Sequence, residues 1–193
     1  MSTRRPSERI VVVAASAGGV AALRRLFAGL AADFDWPLVV VLHIAGDNID
    51  SLLEVLGVDS ALPVIEARHG ARPLPGTIHV APSGYHLLIE DEHSFALSVD
   101  PRVRFARPSA DVLFSSAADA CGERVIGIVL TGTNDDGARG LADIRRHGGL
   151  GFVQDPREAE EAAMPRAAIE RAGADAVLTI DELARRLLME FRQ

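Results

Sequence analysis

Three polar residues stand directly behind apolar runs in this 193-residue chain, and their types are those of acyl-transfer chemistry. Ser16 follows Ile10–Ala15, and His43 follows Leu38–Leu42. Asp135 and Asp136 follow Val125–Leu130 after the short segment Thr131-Gly132-Thr133-Asn134. If the runs are parallel strands, a hydroxyl, an imidazole and a carboxylate meet at one sheet edge, where open α/β sheets bind ligands. An imidazole there takes the hydroxyl proton, and a carboxylate holds the ring's tautomer and steadies its charged form. Each residue also has a plainer role. Ser16 suits the N-cap of a helix starting near Gly18, His43 suits a hydrogen-bonded structural group, and one of the two aspartates suits a cap ahead of Gly137.

The surroundings leave two chemistries open. Ala14-Ala15-Ser16-Ala17-Gly18 matches a G-x-S-x-G strand-to-helix elbow without its first glycine. Gly18-Gly19 lets backbone approach a substrate, so amides at the helix start could hold an oxyanion or cradle a phosphate. Neither a G-x-G-x-x-G motif nor a Walker lysine supports the phosphate reading. The remaining histidines (His69, His79, His86, His93, His147) form no H-E-x-x-H pair.

The elements that must position these groups follow from periodicity. Apolar runs predict buried strands over Ile10–Ala15, Leu38–Leu42 and Val125–Leu130, further strands at Leu150–Val153 and Ala176–Ile180, and a weaker one at Val64–Ala67. Helices are expected over Val20–Leu30, Ile49–Leu56, Ala110–Ala120 behind Pro108 and Ser109, Gly137–His147, Pro165–Ala172 and Glu182–Phe191. Between the alternating ends, Thr77–Val80, His86–Glu90 and Phe95–Val99 are broken by Pro82-Ser83-Gly84 and Asp91-Glu92, a spacing that suggests antiparallel hairpins. The expected fold is α/β and doubly wound: a mostly parallel sheet with helices on both faces and an antiparallel hairpin insertion. One domain over residues 1–193 is expected, with an N-terminal tail of about nine residues.

Bulk properties narrow the partners. Hydrophobic residues make up 48% and charged residues 24%, with net charge −7, which argues against nucleic acid and anionic membranes as partners. The lone Cys121 excludes intramolecular disulfides and thiolate-rich zinc sites, and suits a reducing, cytoplasmic setting. Arg4, Arg5 and Arg9 before Ile10–Ala15 imitate a signal peptide, yet the run is shorter than the ~7–15 residues of a signal core, and none approaches the ~18–20 of a membrane span.

Taken in order, a series of segments resembles the catalytic domain of the CheB-type chemotaxis protein-glutamate methylesterases over nearly the whole chain. They are Ala15-Ser16-Ala17-Gly18-Gly19, Val39–His43, Pro75–His86, Arg107–Phe114, Leu130-Thr131-Gly132, Asp136-Gly137-Ala138, Gln154-Asp155 and Met164–Ala168. The resemblance implies that Ser16 is the nucleophile, His43 the general base and acid, and Asp136, rather than Asp135, the orienting carboxylate. It implies hydrolysis of glutamate γ-methyl esters on the cytoplasmic helices of methylated chemoreceptors, also deamidation of glutamines in many members, and no metal or organic cofactor.

The chain departs from the family pattern at Ala17 (usually threonine), at Leu42-His43-Ile44 (usually Gln-His-Met) and at Gly132-Thr133-Asn134-Asp135-Asp136 (usually Gly-Met-Gly-x-Asp). In the resembling enzymes these positions adjoin the site, so Ala17, Gly18 and Thr133 are expected beside the oxyanion and substrate. The receiver domain that many members carry has no counterpart here, so a separate regulatory protein is one expected means of control. The competing reading is a catalytically impaired regulatory or binding module of the same fold. Arg102, Arg104 and Arg107 read as a solvated basic loop, with contact to acidic receptor helices as the alternative.

Overall fold

The computed structural model describes residues 9–43, 48–90 and 94–192; most of the expected tail, Ile44, the Asp91-Glu92 turn and His93 lie outside them. Seven strands form one sheet: β1 (Ile10–Ala15), β2 (Leu38–Leu42), β3 (Val64–Glu66), β4 (Ile78–Val80), β7 (Val125–Val129), β8 (Leu150–Gln154) and β9 (Ala176–Leu178). Their order is β3-β4-β2-β1-β7-β8-β9, and every pairing is parallel. The remaining strands, β5 (His86–Ile89) and β6 (Phe95–Ser98), form a separate antiparallel pair.

Strands β1, β2 and β7 are buried along their full length, because helices cover both faces. Alternate residues serve opposite cores. Val11, Val13 and Val40 pack with Leu23 and Phe27 of α1 (Gly19–Ala28) and Leu183 and Leu187 of α6 (Ile180–Phe191). Val12, Ala14 and Val41 pack instead with Leu113 and Phe114 of α3 (Ala110–Cys121), Leu141 of α4 (Ala138–Arg146) and Ala168 of α5 (Ala163–Ala172). Helix α2 (Ile49–Gly57) lies beside α1 and β3. The β5–β6 pair rests on α3 through Leu87, Ile89 and Phe95.

Two sequence expectations shift. The Thr77–Val80 segment is not part of a hairpin: as β4 it inserts in parallel between β2 and β3, with Leu38 opposite Ile78 and Val40 opposite Val80. All three of its residues are buried, so it has no solvent face to make an edge hairpin favourable. At the other end, the strand expected through Ile180 stops at Leu178. Thr179 caps α6, with its amide donating to Glu182 Oε2 at 2.9 Å and its hydroxyl accepting from the Glu182 amide, a reciprocal capping box.

Buried β4 carries a titratable side chain. His79 is 2% exposed, and burial drives its pKa down to about 4. The Leu74 amide donates to its Nε2 at 2.9 Å, which the neutral ring accepts. Folding therefore opposes protonation: this contribution to stability is full above about pH 6.5 and declines as pH falls toward 4. The decline is on the order of 3 kcal/mol. Thermal melting from pH 7.5 to 4 should fall more steeply for the native chain than for His79→Gln, and parallel curves would refute this role.

Candidate active site

The direction in which successive strands are added reverses at β1, since β2, β4 and β3 lie on one side and β7, β8 and β9 on the other. A crevice at such a switch point opens beyond the carboxyl ends of the strands. Register then sets the site. Strand β1 runs beside β2 from Val11 opposite Leu38 to Ala15 opposite Leu42, so Ser16 and His43 stand one step further on adjacent strands. The His43 amide donates to Ala15 O at 3.1 Å, and the Ser16 amide to Thr131 O at 2.9 Å, so both neighbouring strands hold the turn.

Ser16 is not the cap of α1. That position belongs to Gly18, whose φ of 74° is left-handed and favours glycine, and no side chain caps the helix. No hydrogen bond from Ser16 Oγ to another described residue is recorded, nor any described acceptor for the amides of Ala17 and Gly18. Gly132 fits against Ser16 from the β7 side. A Cβ there would lie 2.0 Å from Met164 Sδ and 2.8 Å from Ser16 Cβ, so only glycine permits this approach.

His43 lies between two partners. Its Nε2 comes within 2.9 Å of Asp136 Oδ2, although the ring N–H is poorly aligned with that oxygen; the side chain is 15% exposed. On the other edge, Asn134 Nδ2 is 3.3 Å from Nδ1. Asn134 orientation is itself set, because its Oδ1 accepts the Asp136 amide at 3.0 Å. The amide NH2 therefore faces His43, Nδ1 must accept, and the neutral ring carries its proton on Nε2, toward Asp136. A 15N NMR spectrum of the neutral ring should show His43 as the Nε2–H tautomer; an Nδ1–H tautomer would contradict this network.

Asp136, fully buried on its side chain, accepts three hydrogen bonds besides the close approach of His43. Ser109 Oγ and the Asp111 amide donate to Oδ1 at 2.8 and 2.9 Å, and the Ala110 amide donates to Oδ2 at 2.7 Å, beside His43. Burial alone would raise the carboxyl's pKa, but the His43 imidazole, the two helix amides and the Ser109 hydroxyl together hold it below the usual carboxylate range. Ser109 is the N-cap residue of α3 as sequence predicts, yet it makes no side-chain cap. Asp136 supplies the acceptor instead, at the positive end of the helix dipole.

The arrangement is crossed. Asp111, in the first turn of α3, accepts the amides of Gly137 and Gly140 at the start of α4, at 2.9 and 2.8 Å. Each helix start is thus satisfied by a carboxylate from the other's sequence neighbourhood. Asp111 is buried as well, which raises its pKa.

Ser16, His43 and Asn134 line one cavity of about 290 Å3, with Arg102, Arg104 and Phe105 among the residues at its rim. Of the other sequence-predicted positions, Ala17 and Thr133 are exposed and outside this cavity, and Gly18 lines a neighbouring hollow with Thr131 and Glu158. Asp135 pairs with Arg104 and does not reach His43. Asn134 is the residue that sequence reasoning missed: it reads as a tolerated replacement for a loop glycine, and its side-chain contact spans 91 positions. Among the described residues no three His, Cys, Asp or Glu side chains gather as a metal cluster, and no helix is long and apolar enough to cross a membrane. Chemically, the assembly offers a hydroxyl without a partner among the described residues, an imidazole with an accepting Nδ1 and a fixed anion behind it.

The CheB methylesterase family profile matches residues 11–187. The chain belongs to the CheB methylesterase family. Crystallographic geometry agrees: the CheB methylesterase catalytic domain of Thermotoga maritima superposes with a TM-score of 0.91 at 30% identity, covering 95% of this chain and 98% of that one. Protein-glutamate methylesterase FrzG of Myxococcus xanthus is 37% identical over 183 residues, 95% of this chain and 55% of FrzG. A Leptospira interrogans protein with a provisional protein-glutamate methylesterase/protein-glutamine glutaminase name is 41% identical over 174 residues, 90% of each chain. The chain therefore spans about half of one CheB methylesterase relative and nearly all of another.

Proposed function

We propose that this chain is a cytoplasmic protein-glutamate methylesterase that hydrolyses glutamate γ-methyl esters on the helices of methylated chemoreceptors in chemosensory signalling. The single observation that carries the reading is Asp136, a buried anion with three donors of its own, set against a histidine that lines one cavity with Ser16. Relatives in the same family carry methylesterase names, and several also carry the glutaminase name.

In this mechanism Ser16 Oγ attacks the ester carbonyl carbon while His43 Nδ1 takes its proton, displacing Asn134 Nδ2 from that lone pair. The charge gained by the imidazole is balanced by Asp136 at Nε2. The amides of Ala17 and Gly18, which have no acceptor among the described residues and directly follow Ser16, are the nearest backbone donors in sequence for the developing oxyanion. His43 returns the proton to the leaving methoxide, methanol departs, and the glutamyl group remains on Ser16. Water then attacks the acyl carbon, giving a proton to His43; the bond from that carbon to Oγ breaks, His43 returns the proton to Oγ, and a free glutamate carboxylate leaves. The same sequence on a glutamine amide releases ammonia.

The exposure of Ala17 and Thr133, outside the cavity, favours the enzyme over an impaired module, because neither departure from the family pattern intrudes on the reacting groups. Methanol release from a methylated receptor cytoplasmic fragment tests the reading. Release proportional to enzyme concentration is expected, and none above the uncatalysed rate would overturn it.

A further inference from the structure

Beside the cavity, Val103 and Ala106 exchange two backbone hydrogen bonds, at 3.0 and 2.9 Å, closing a two-residue turn with Arg104 and Phe105 at its tip. Both tip residues have positive φ, 49° and 67°. Consecutive left-handed residues define the turn that Asn-Gly ordinarily fills, so an arginine and a phenylalanine here carry strain that Gly would relieve. That strain presents Phe105 to solvent at 94% exposure, on the rim of the Ser16 and His43 cavity. Other parts of the loop anchor it: Arg104 pairs with Asp135, next to Asp136, and Arg107 Nη1 donates to the carbonyls of Val99 and Asp100 at 2.7 and 3.0 Å. Arg102 is exposed and has no carboxylate partner among the described residues.

We propose that the Val103–Ala106 turn is the docking element for the protein substrate, with Phe105 seating against the apolar face of a receptor helix and Arg102 meeting that helix's carboxylates. The inference rests on the esterase reading for the identity of the partner. An exposed aromatic anchor beside a basic group is matched by an amphipathic, acid-bearing helix, and a strained tip at a cavity rim is where backbone strain marks function. The positive charge stands out on a chain of net charge −7.

Binding separates this claim from catalysis. In a Ser16→Ala background, calorimetry with a methylated receptor cytoplasmic fragment measures Kd for the parent and for added Phe105→Gly. The expected result is a Kd at least tenfold weaker with Phe105→Gly, together with an unchanged or higher melting temperature, since glycine suits the turn. Arg102→Glu should weaken binding as well, and more so at low salt. Equal affinity of Phe105→Gly and its parent overturns the proposal, as does the absence of receptor binding, or self-association of the chain that Phe105→Gly abolishes. Receptor binding lost with Phe105→Gly, in a wild-type chain that releases no methanol, would support docking while refuting the esterase reading.

Discussion

Ser16→Ala is expected to abolish methanol release from methylated receptor, lowering kcat on the order of 10^4-fold or more. Removing the nucleophile of a serine triad forfeits the acyl-enzyme and leaves only what binding and oxyanion contacts supply. The fold has little reason to notice the change. Ser16 Oγ has no recorded hydrogen bond to another described residue, and the turn is held by backbone: the Ser16 amide on Thr131 O at 2.9 Å and the Gly19 amide on Ser16 O at 2.7 Å. Stability should therefore stay within about 0.5 kcal/mol of wild type by chemical denaturation. Methanol release within tenfold of wild type would remove Ser16 from the mechanism. Capping cannot stand in as an explanation for a large loss, because Gly18 caps α1 without any side chain.

Asp136→Asn should have the second largest effect, and on two quantities together. Three hydrogen-bond donors converge on this carboxylate, Ser109 Oγ and the Asp111 amide on one oxygen and the Ala110 amide on the other, where His43 Nε2 also approaches to 2.9 Å. An asparagine supplies one accepting oxygen and one NH2, so at least one backbone amide, of Asp111 or of Ala110, meets a donor whichever way the side chain turns. The unsatisfied buried groups cost about 2–4 kcal/mol. Losing the anion also removes the balance for a charged His43, and kcat should fall by roughly 10^3–10^4-fold. Asp135→Asn is the matched control: that carboxylate is a surface partner of Arg104, worth about 1 kcal/mol or less, and turnover should change little.

Acid adds a signature to the same pair of proteins. Because the folded Asp136 carboxyl titrates below its ordinary range, its stabilisation is complete above the unfolded pKa of about 3.9 and is lost as pH falls through the lower folded value. The stability gap between wild type and Asp136→Asn should thus be constant from pH 7 to about 4.5 and narrow below about pH 4. A gap that stays constant into strong acid would show that the carboxylate is not held as an anion.

Much of this protein was determined by sequence alone, because the signals were local. Apolar runs rich in valine and isoleucine at Ile10–Ala15, Leu38–Leu42 and Val125–Leu130 point to strands covered on both faces, and the structure has such strands at all three, the last ending at Val129. Parallel order then puts Ser16, His43 and the Asp135-Asp136 pair at one edge without knowledge of any contact. The choice of Asp136 over Asp135 came from family resemblance, and its physical basis lies in the crossing of two helix starts, which no local pattern encodes. Short Ile78–Val80 reads equally as hairpin or parallel strand until β2 and β3 are there to bury it.

Tertiary structure alone decided what surrounds the three groups. Ser109 looked like a cap and became a donor to Asp136, 27 positions away. Asn134 looked like a substitute for glycine and became the group that sets the His43 tautomer from 91 positions away. Hydrogen bonds between distant residues depend on where separate strands end, and periodicity carries no record of that. The sequence supplied a hydroxyl, an imidazole and a carboxylate at one edge; packing selected which nitrogen faces which oxygen.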